Sequence, residues 1–130
     1  MGNQQRAWIV ILALLAVTFV YGECFPFEKS GVINSTLSYS ELTVKKDSSG
    51  HYYMTGYVKN NSGGTLRNVA IKFMSYTSSQ RLLWDFNFII HEIRPGQKYF
   101  FNEEVNIYET YRSLGMPIED TPLQFVVQVF

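Results

Sequence analysis

The chain has 130 residues, enough for one domain and too few for two separate cores. Eleven Lys and Arg balance eleven Asp and Glu, so the chain lacks the cationic surplus on which non-specific nucleic-acid binding rests. Cys24 is the single cysteine and excludes an intrachain disulfide, while an aromatic share of 16%, with nine Tyr and ten Phe, favours pleated, half-buried strands.

The chain opens with a short polar stretch carrying Arg6, then runs uncharged and apolar from Ala7 to Tyr21 before Gly22. A spanning helix needs about 20 apolar residues, and this run is nearer the length of a secretory h-region. Val20 and Gly22 suit the small-residue positions before a cleavage site and place the cut before Glu23. Residues 1–22 are therefore read as a cleaved signal peptide or an uncleaved membrane anchor, with 23–130 as the domain. A lipoprotein signal is disfavoured because Glu23, bulky and charged, precedes Cys24. Myristoylation at Gly2 is disfavoured because Arg6 stands where Ser or Thr is required. Each surviving reading puts the domain outside the cytoplasm, secreted or anchored at the envelope, and membrane contact runs only through residues 7–21 if they are retained.

From Leu37 onward, short runs of period two are separated by turn residues. LSYSELTVKK leads into DSSG, residues 47–50, where Asp47 and Gly50 fit the ends of a type I turn and predict a hairpin. HYYMTGYVKN then alternates, with Tyr52, Met54, Gly56 and Val58 on the expected core face and Tyr53, Thr55, Tyr57 and Lys59 on the other. After NSGGT, where Gly63 and Gly64 are expected at positive φ, LRNVAIKF resumes with Val69, Ile71 and Phe73 inward. Beyond the TSSQ turn, RLLWDFNFIIHEI sets Trp84, Phe86 and Phe88 against Asp85 and Asn87. In RPGQ, Pro95 and Gly96 fit the two central positions of a type II turn. KYFFNEEVNI reads as one more strand, and LQFVVQVF as the last, with Leu123, Phe125, Val127 and Val129 inward. Only residues 108–120 break the rhythm, as a helical turn before Gly115 and Pro117 or a long loop. About seven strands at this spacing predict an all-β, antiparallel, immunoglobulin-like sandwich behind an N-terminal hydrophobic signal or anchor helix.

GYVKNNSGGTLRNVAIKFMSY followed by IRPGQKYFF resembles the FxLYD domain, a small extracytoplasmic immunoglobulin-like module of bacterial and archaeal proteins. Gly56, Val58 and Asn60 match its Gly-x-Val-x-Asn strand, Leu66, Val69, Ile71 and Phe73 the strand that follows, and Ile93, Pro95, Gly96 and Phe100 its Pro-Gly turn. In the motif that names the family, Phe73 and Tyr76 are present, while Ser75 replaces Leu and Thr77 replaces Asp. The resemblance covers residues 52–104. It implies a fold and an extracytoplasmic setting and no reaction.

Residue chemistry points the same way. His51 and His91, the only histidines, lie in no nucleophile or metal motif, and His91 and Glu92 are neighbours that a strand points to opposite faces. A small metal-assisted hydrolase using either histidine is the weakest of the readings. Glu103, Glu104, Glu109, Glu119 and Asp120 lack the spacing of a calcium loop and read as a solvated rim. Asn34 and Asn60 begin glycosylation sequons. The glycine-rich hinge at 60–65 leads into a strand, whereas anion-binding glycine loops lead into a helix, so it is expected to turn the chain. No catalytic residue, cofactor or metal is expected. The remaining signal is Tyr53 and Tyr57, both outward on one strand if Tyr52 faces inward: they could stack on a sugar or anchor a peptide, while the favoured reading has a second sheet or residues 108–120 covering them. The sequence thus predicts a non-catalytic interaction or structural module with a protein or envelope-polymer partner.

Overall fold

The computed structural model describes residues 27–130; the expected signal or anchor at 1–22, the Gly22–Glu23 junction and Cys24 lie outside them. Among the described residues, alternating side chains and turn chemistry produce eight strands: β1 Gly31–Val32, β2 Leu37–Lys46, β3 Tyr52–Asn60, β4 Leu66–Tyr76, β5 Leu82–Ile93, β6 Lys98–Glu104, β7 Asn106–Ile107 and β8 Gln124–Val129. Two of them, β1 and β7, have two residues each and were not read from the sequence. The helical turn expected before Gly115 is α1, Glu109–Arg112, and a 3-10 turn follows at Ile118–Asp120. No helix among the described residues is long and apolar enough to cross a membrane.

The strands form two antiparallel sheets ordered β1-β2-β3-β6 and β7-β5-β4-β8, an all-β sandwich. Each sheet turns its apolar positions toward the other, as period-two patterning requires. Phe73 lies near the middle, 4.8 Å from the Phe86 ring, 4.9 Å from Phe125 and 5.3 Å from Phe101, so both sheets meet on it. Burial across the two sheets, from Leu37, Tyr39 and Met54 to Ile71, Phe86 and Ile90, forms one continuous core. Trp84 closes one end, its indole N–H donating to Thr121 Oγ1 at 2.8 Å while Thr121 donates to the Ile118 carbonyl at 2.6 Å.

The turns follow their residues. Gly50 N–H donates to Asp47 O at 3.1 Å, and Asp47 Oδ1 accepts from the backbone N–H of Ser49 and of His51, both at 2.9 Å. The TSSQ turn has the same shape, with Gln80 N–H on Thr77 O at 2.9 Å, but Gln80 stands at φ 68° where its counterpart Gly50 stands at 89°. At RPGQ, Gly96 takes φ 77° and Gln97 N–H donates to Arg94 O at 3.0 Å.

Four expectations are corrected. Gly63 and Gly64 do not adopt positive φ, because Asn60 rather than glycine geometry shapes their turn. KYFFNEEVNI is not one strand: Val105 N–H donates to Tyr52 O at 2.9 Å in the first sheet, then Tyr108 N–H donates to Leu83 O at 3.0 Å in the second, so the chain switches sheets there. Val129 is 53% exposed although its parity is inward, because it sits at the end of an edge strand. Asp85, set on the solvent side by alternation, is only 5% exposed, because the segment after β6 folds over it.

Candidate functional site: the outer face of the first sheet

The register of β3 brings its outward residues beside those of two neighbours. Tyr57 is flanked by Ser40 of β2 and Phe100 of β6, Lys59 by Ser38 and Lys98, and Tyr53 by Lys45 and Glu104. The Tyr57 and Phe100 rings lie 5.4 Å apart at 58°, and Lys98 Nζ sits 5.8 Å from the centre of the Tyr57 ring. Phe100 is 53% exposed, a large apolar ring left in water, and Val32 of β1, 74% exposed beside Ser38, lies on the same face. Tyr53 and Tyr57 are half-buried. Four residues of strand separate them by about 13 Å, too far for one shared ring contact. The sequence therefore named Tyr57 correctly as outward but missed its partner: in Phe100-Phe101 the two rings point to opposite faces, and only the register with β3 tells which is which.

The reason Phe101 faces inward is also local. Between Ser40 and Thr43 a β-bulge in β2 sets two residues, Glu41 and Leu42, against Gly56 alone, with Glu41 at φ 54°. An added Cβ at Gly56 would lie 2.8 Å from Phe101 Cζ and 3.1 Å from Ser40 O, so only glycine admits both the ring and the bulged strand. Gly56 thus seats Phe101 in the core and, one residue away, fixes Phe100 in solvent.

The opposite end of β3 is held by Asn60, which is fully buried. Its amide nitrogen donates to Gly64 O at 2.8 Å and Ile93 O at 2.9 Å, while Oδ1 accepts from Ser62 N–H at 2.9 Å and Ser62 Oγ at 2.7 Å. Asn60 is therefore a clasp between two loops, and its sequon is closed to a glycan in the folded chain. Asn34 is half-buried and uses Oδ1 to accept from the backbone N–H of Thr36 and Leu37 at 2.8 and 2.7 Å.

The remaining chemistry-bearing residues are dispersed. His51 is exposed, with Nδ1 3.8 Å from Asp47 and 4.0 Å from Glu104, beside a polar cleft of about 310 Å³ that Arg112 and Asn106 also line. The His51 backbone N–H, and next the Ser49 hydroxyl, hold the Asp47 carboxyl below its ordinary range, which is the signature of a turn anchor. His91 is exposed on β5, in the other sheet. Glu103 points inward from β6, and burial pushes its carboxyl up; Glu109 pairs with Arg112 at 3.5 Å, and the backbone O of Glu119 accepts from Phe27 N–H. Among the described residues no group of three or more His, Cys, Asp or Glu is placed to hold a metal ion.

One polar cluster was not legible in the sequence. Asp85 accepts from Asn106 Nδ2 at 3.0 Å and from the Tyr108 hydroxyl at 3.2 Å, and lies 3.4 Å from Lys72 Nζ. The Tyr108 hydroxyl is pushed up, first by burial and then by the Asp85 charge. This cluster ties the segment that leaves the first sheet onto the outer face of the second. In comparison with known proteins, no family model, no curated protein and no solved structure matches the chain.

Proposed function

We propose that the chain is an extracytoplasmic, immunoglobulin-like interaction module of the FxLYD kind that docks a protein partner on the face centred on Tyr57 and Phe100. The order β2-β3-β6 against β5-β4-β8 supports the finer fold reading: after β3 the chain leaves the first sheet, β4 and β5 pair in the second, and β6 returns to pair with β3, as in an immunoglobulin-like Greek key. The apolar stretch 7–21 supports the location. The observation that carries the function is Phe100, exposed beside Tyr57 under the cation of Lys98.

Aromatic side chains flanked by cations are the residues that dominate binding energy when a partner removes water from them. Rings inclined at 58° form a wedge rather than a flat shelf, which suits an apolar side chain between them better than the face of a sugar. Lys59 and Lys98 on the same face favour a partner segment carrying carboxylates nearby.

Retention on envelope material from the native host tests the reading. Replacing Tyr57 and Phe100 together by Ala abolishes retention with little change in Tm, since both side chains lie outside the core. Protease treatment of the envelope material also abolishes it. Retention that survives the double substitution refutes the face; retention that survives protease but not glycan hydrolysis replaces the protein partner with a polysaccharide.

A further inference from the structure

We propose that β8 is an assembly edge, pairing antiparallel with β8 of a second copy of the chain so that two four-stranded sheets join into one. This surface is separate from the Tyr57–Phe100 face and does not depend on it.

Among the described residues the sheets end in four strands, β1, β6, β7 and β8. An open edge invites pairing, and proteins blunt such edges with short strands, with charges, or with a charged side chain turned inward. Three of the four edges here are blunted. Strands β1 and β7 have two residues each, and the flanks of β2 and β5 that they leave uncovered carry Glu41, Lys45 and Lys46 and His91 and Glu92; β6 carries Lys98 and Glu104 and turns Glu103 inward opposite Met54. Strand β8, QFVVQV, has no charge, no proline and no glycine, and it pairs with β4 without a register shift from Gln124 to Val129.

The direction of the backbone follows from one bond. Phe130 N–H donates to Asn68 O at 3.1 Å, toward β4. In an antiparallel ladder donors and acceptors alternate sides, so the N–H and C=O of Phe125, Val127 and Val129 point away from β4. The same edge carries exposed apolar side chains, Val129 at 53% and Phe130 at 66%.

A second copy fits this edge by its own symmetry. A two-fold axis perpendicular to the sheet sets one residue opposite itself, and centring it on Val127 places Phe125 opposite Val129 of the second copy. Every outward N–H and C=O of the three residues then finds a partner. The exposed Val129 gains the Phe125 ring of the second copy, and no like charges meet because the strand has none. The outward row pairs with itself about Val127, setting the Phe125 ring of each copy beside the exposed Val129 of the other, which is why the occupant is taken to be a second copy.

Two variants of the full chain test this. With Cys24 replaced by Ser, Val127→Cys places the two new thiols across the axis, where facing Cα atoms about 5.5 Å apart fall within disulfide range. Mild oxidation should yield a disulfide-linked dimer as the main species, and Asn87→Cys, exposed on the outer face of β5, should give none. Val129→Pro removes an outward N–H while sparing every β4–β8 bond, so it reads the edge even if the cysteine variant fails to fold. Sedimentation of the wild-type chain should then show a dimer over a dilution series, and Val129→Pro a monomer with unchanged far-UV circular dichroism. A wild-type monomer at every concentration, or a dimer indifferent to Val129→Pro, overturns the proposal. A monomer with protected amides at 125, 127 and 129 also overturns it, since another segment of the chain then covers the edge.

Discussion

Replacing Gly56 by Ala isolates the contact that sorts Phe100 from Phe101. The new Cβ would stand 2.8 Å from Phe101 Cζ, 3.1 Å from Phe101 Cε2 and 3.1 Å from Ser40 O, closer than carbon atoms ordinarily approach. Neither neighbour yields easily. Phe101 is wedged 4.8 Å from Phe88 and 5.3 Å from Phe73, and Ser40 O belongs to the backbone at a bulge fixed by pairing with β3. Overpacking of this kind costs about 1–3 kcal/mol, partly offset by the about 0.5–1 kcal/mol that alanine recovers through a less free unfolded chain. The expected net loss of about 1–2 kcal/mol corresponds to a fall in Tm of about 4–15 °C for a domain of this size. Thermal unfolding followed by circular dichroism measures it. Phe101→Leu should relieve the clash, so the double variant should lose less than the two single losses added together. An unchanged or raised Tm for Gly56→Ala, or strict additivity, refutes the reasoning.

Other substitutions separate the glycines that shape turns from those that only occupy them. Gly63→Ala and Gly64→Ala point into open space at ordinary φ and should change stability by less than about 0.5 kcal/mol, whereas Gly96→Ala at φ 77° should cost about 1 kcal/mol. Gln80→Gly should gain about 0.5–1 kcal/mol by relieving a left-handed glutamine at φ 68°. Asn60→Asp turns a buried donor into an acceptor facing two carbonyls, and chemical denaturation should register a loss of at least about 3 kcal/mol. The Tyr39 hydroxyl is pushed up from 10.0 to about 12, first by burial and then by Glu28. Because the folded value is raised, its contribution is full below pH 10 and is lost as pH rises toward 12, so Tyr39→Phe should flatten the alkaline unfolding limb in that window.

The elements that the sequence disclosed are those written locally. Period-two alternation marked the cores of β3 and β4, and Asp47, Gly50, Pro95 and Gly96 marked turns whose hydrogen bonds match their residue types. What escaped depends on neighbours distant in sequence. The crossing at Val105 interrupts a run whose alternation continues through it, because both sheets demand the same period. Asp85 is buried by Asn106 and Tyr108, which no local pattern links to it. At the candidate site, alternation sufficed for Tyr57, while Phe100 needed the β3–β6 register, and that register depends on which face Gly56 and Phe101 share. The glycine-rich hinge does turn the chain between β3 and β4, though the residue that shapes it is Asn60.

The most direct test of the docking face is hydroxyl-radical footprinting of the full chain in its native host, compared with the purified protein under the same dose. If a protein partner occupies the face, oxidation of Phe100 and Tyr57 falls several-fold in the host while oxidation of Ile89, an exposed residue on β5 of the other sheet, is unchanged. Equal oxidation of Phe100 and Tyr57 in both settings contradicts the account.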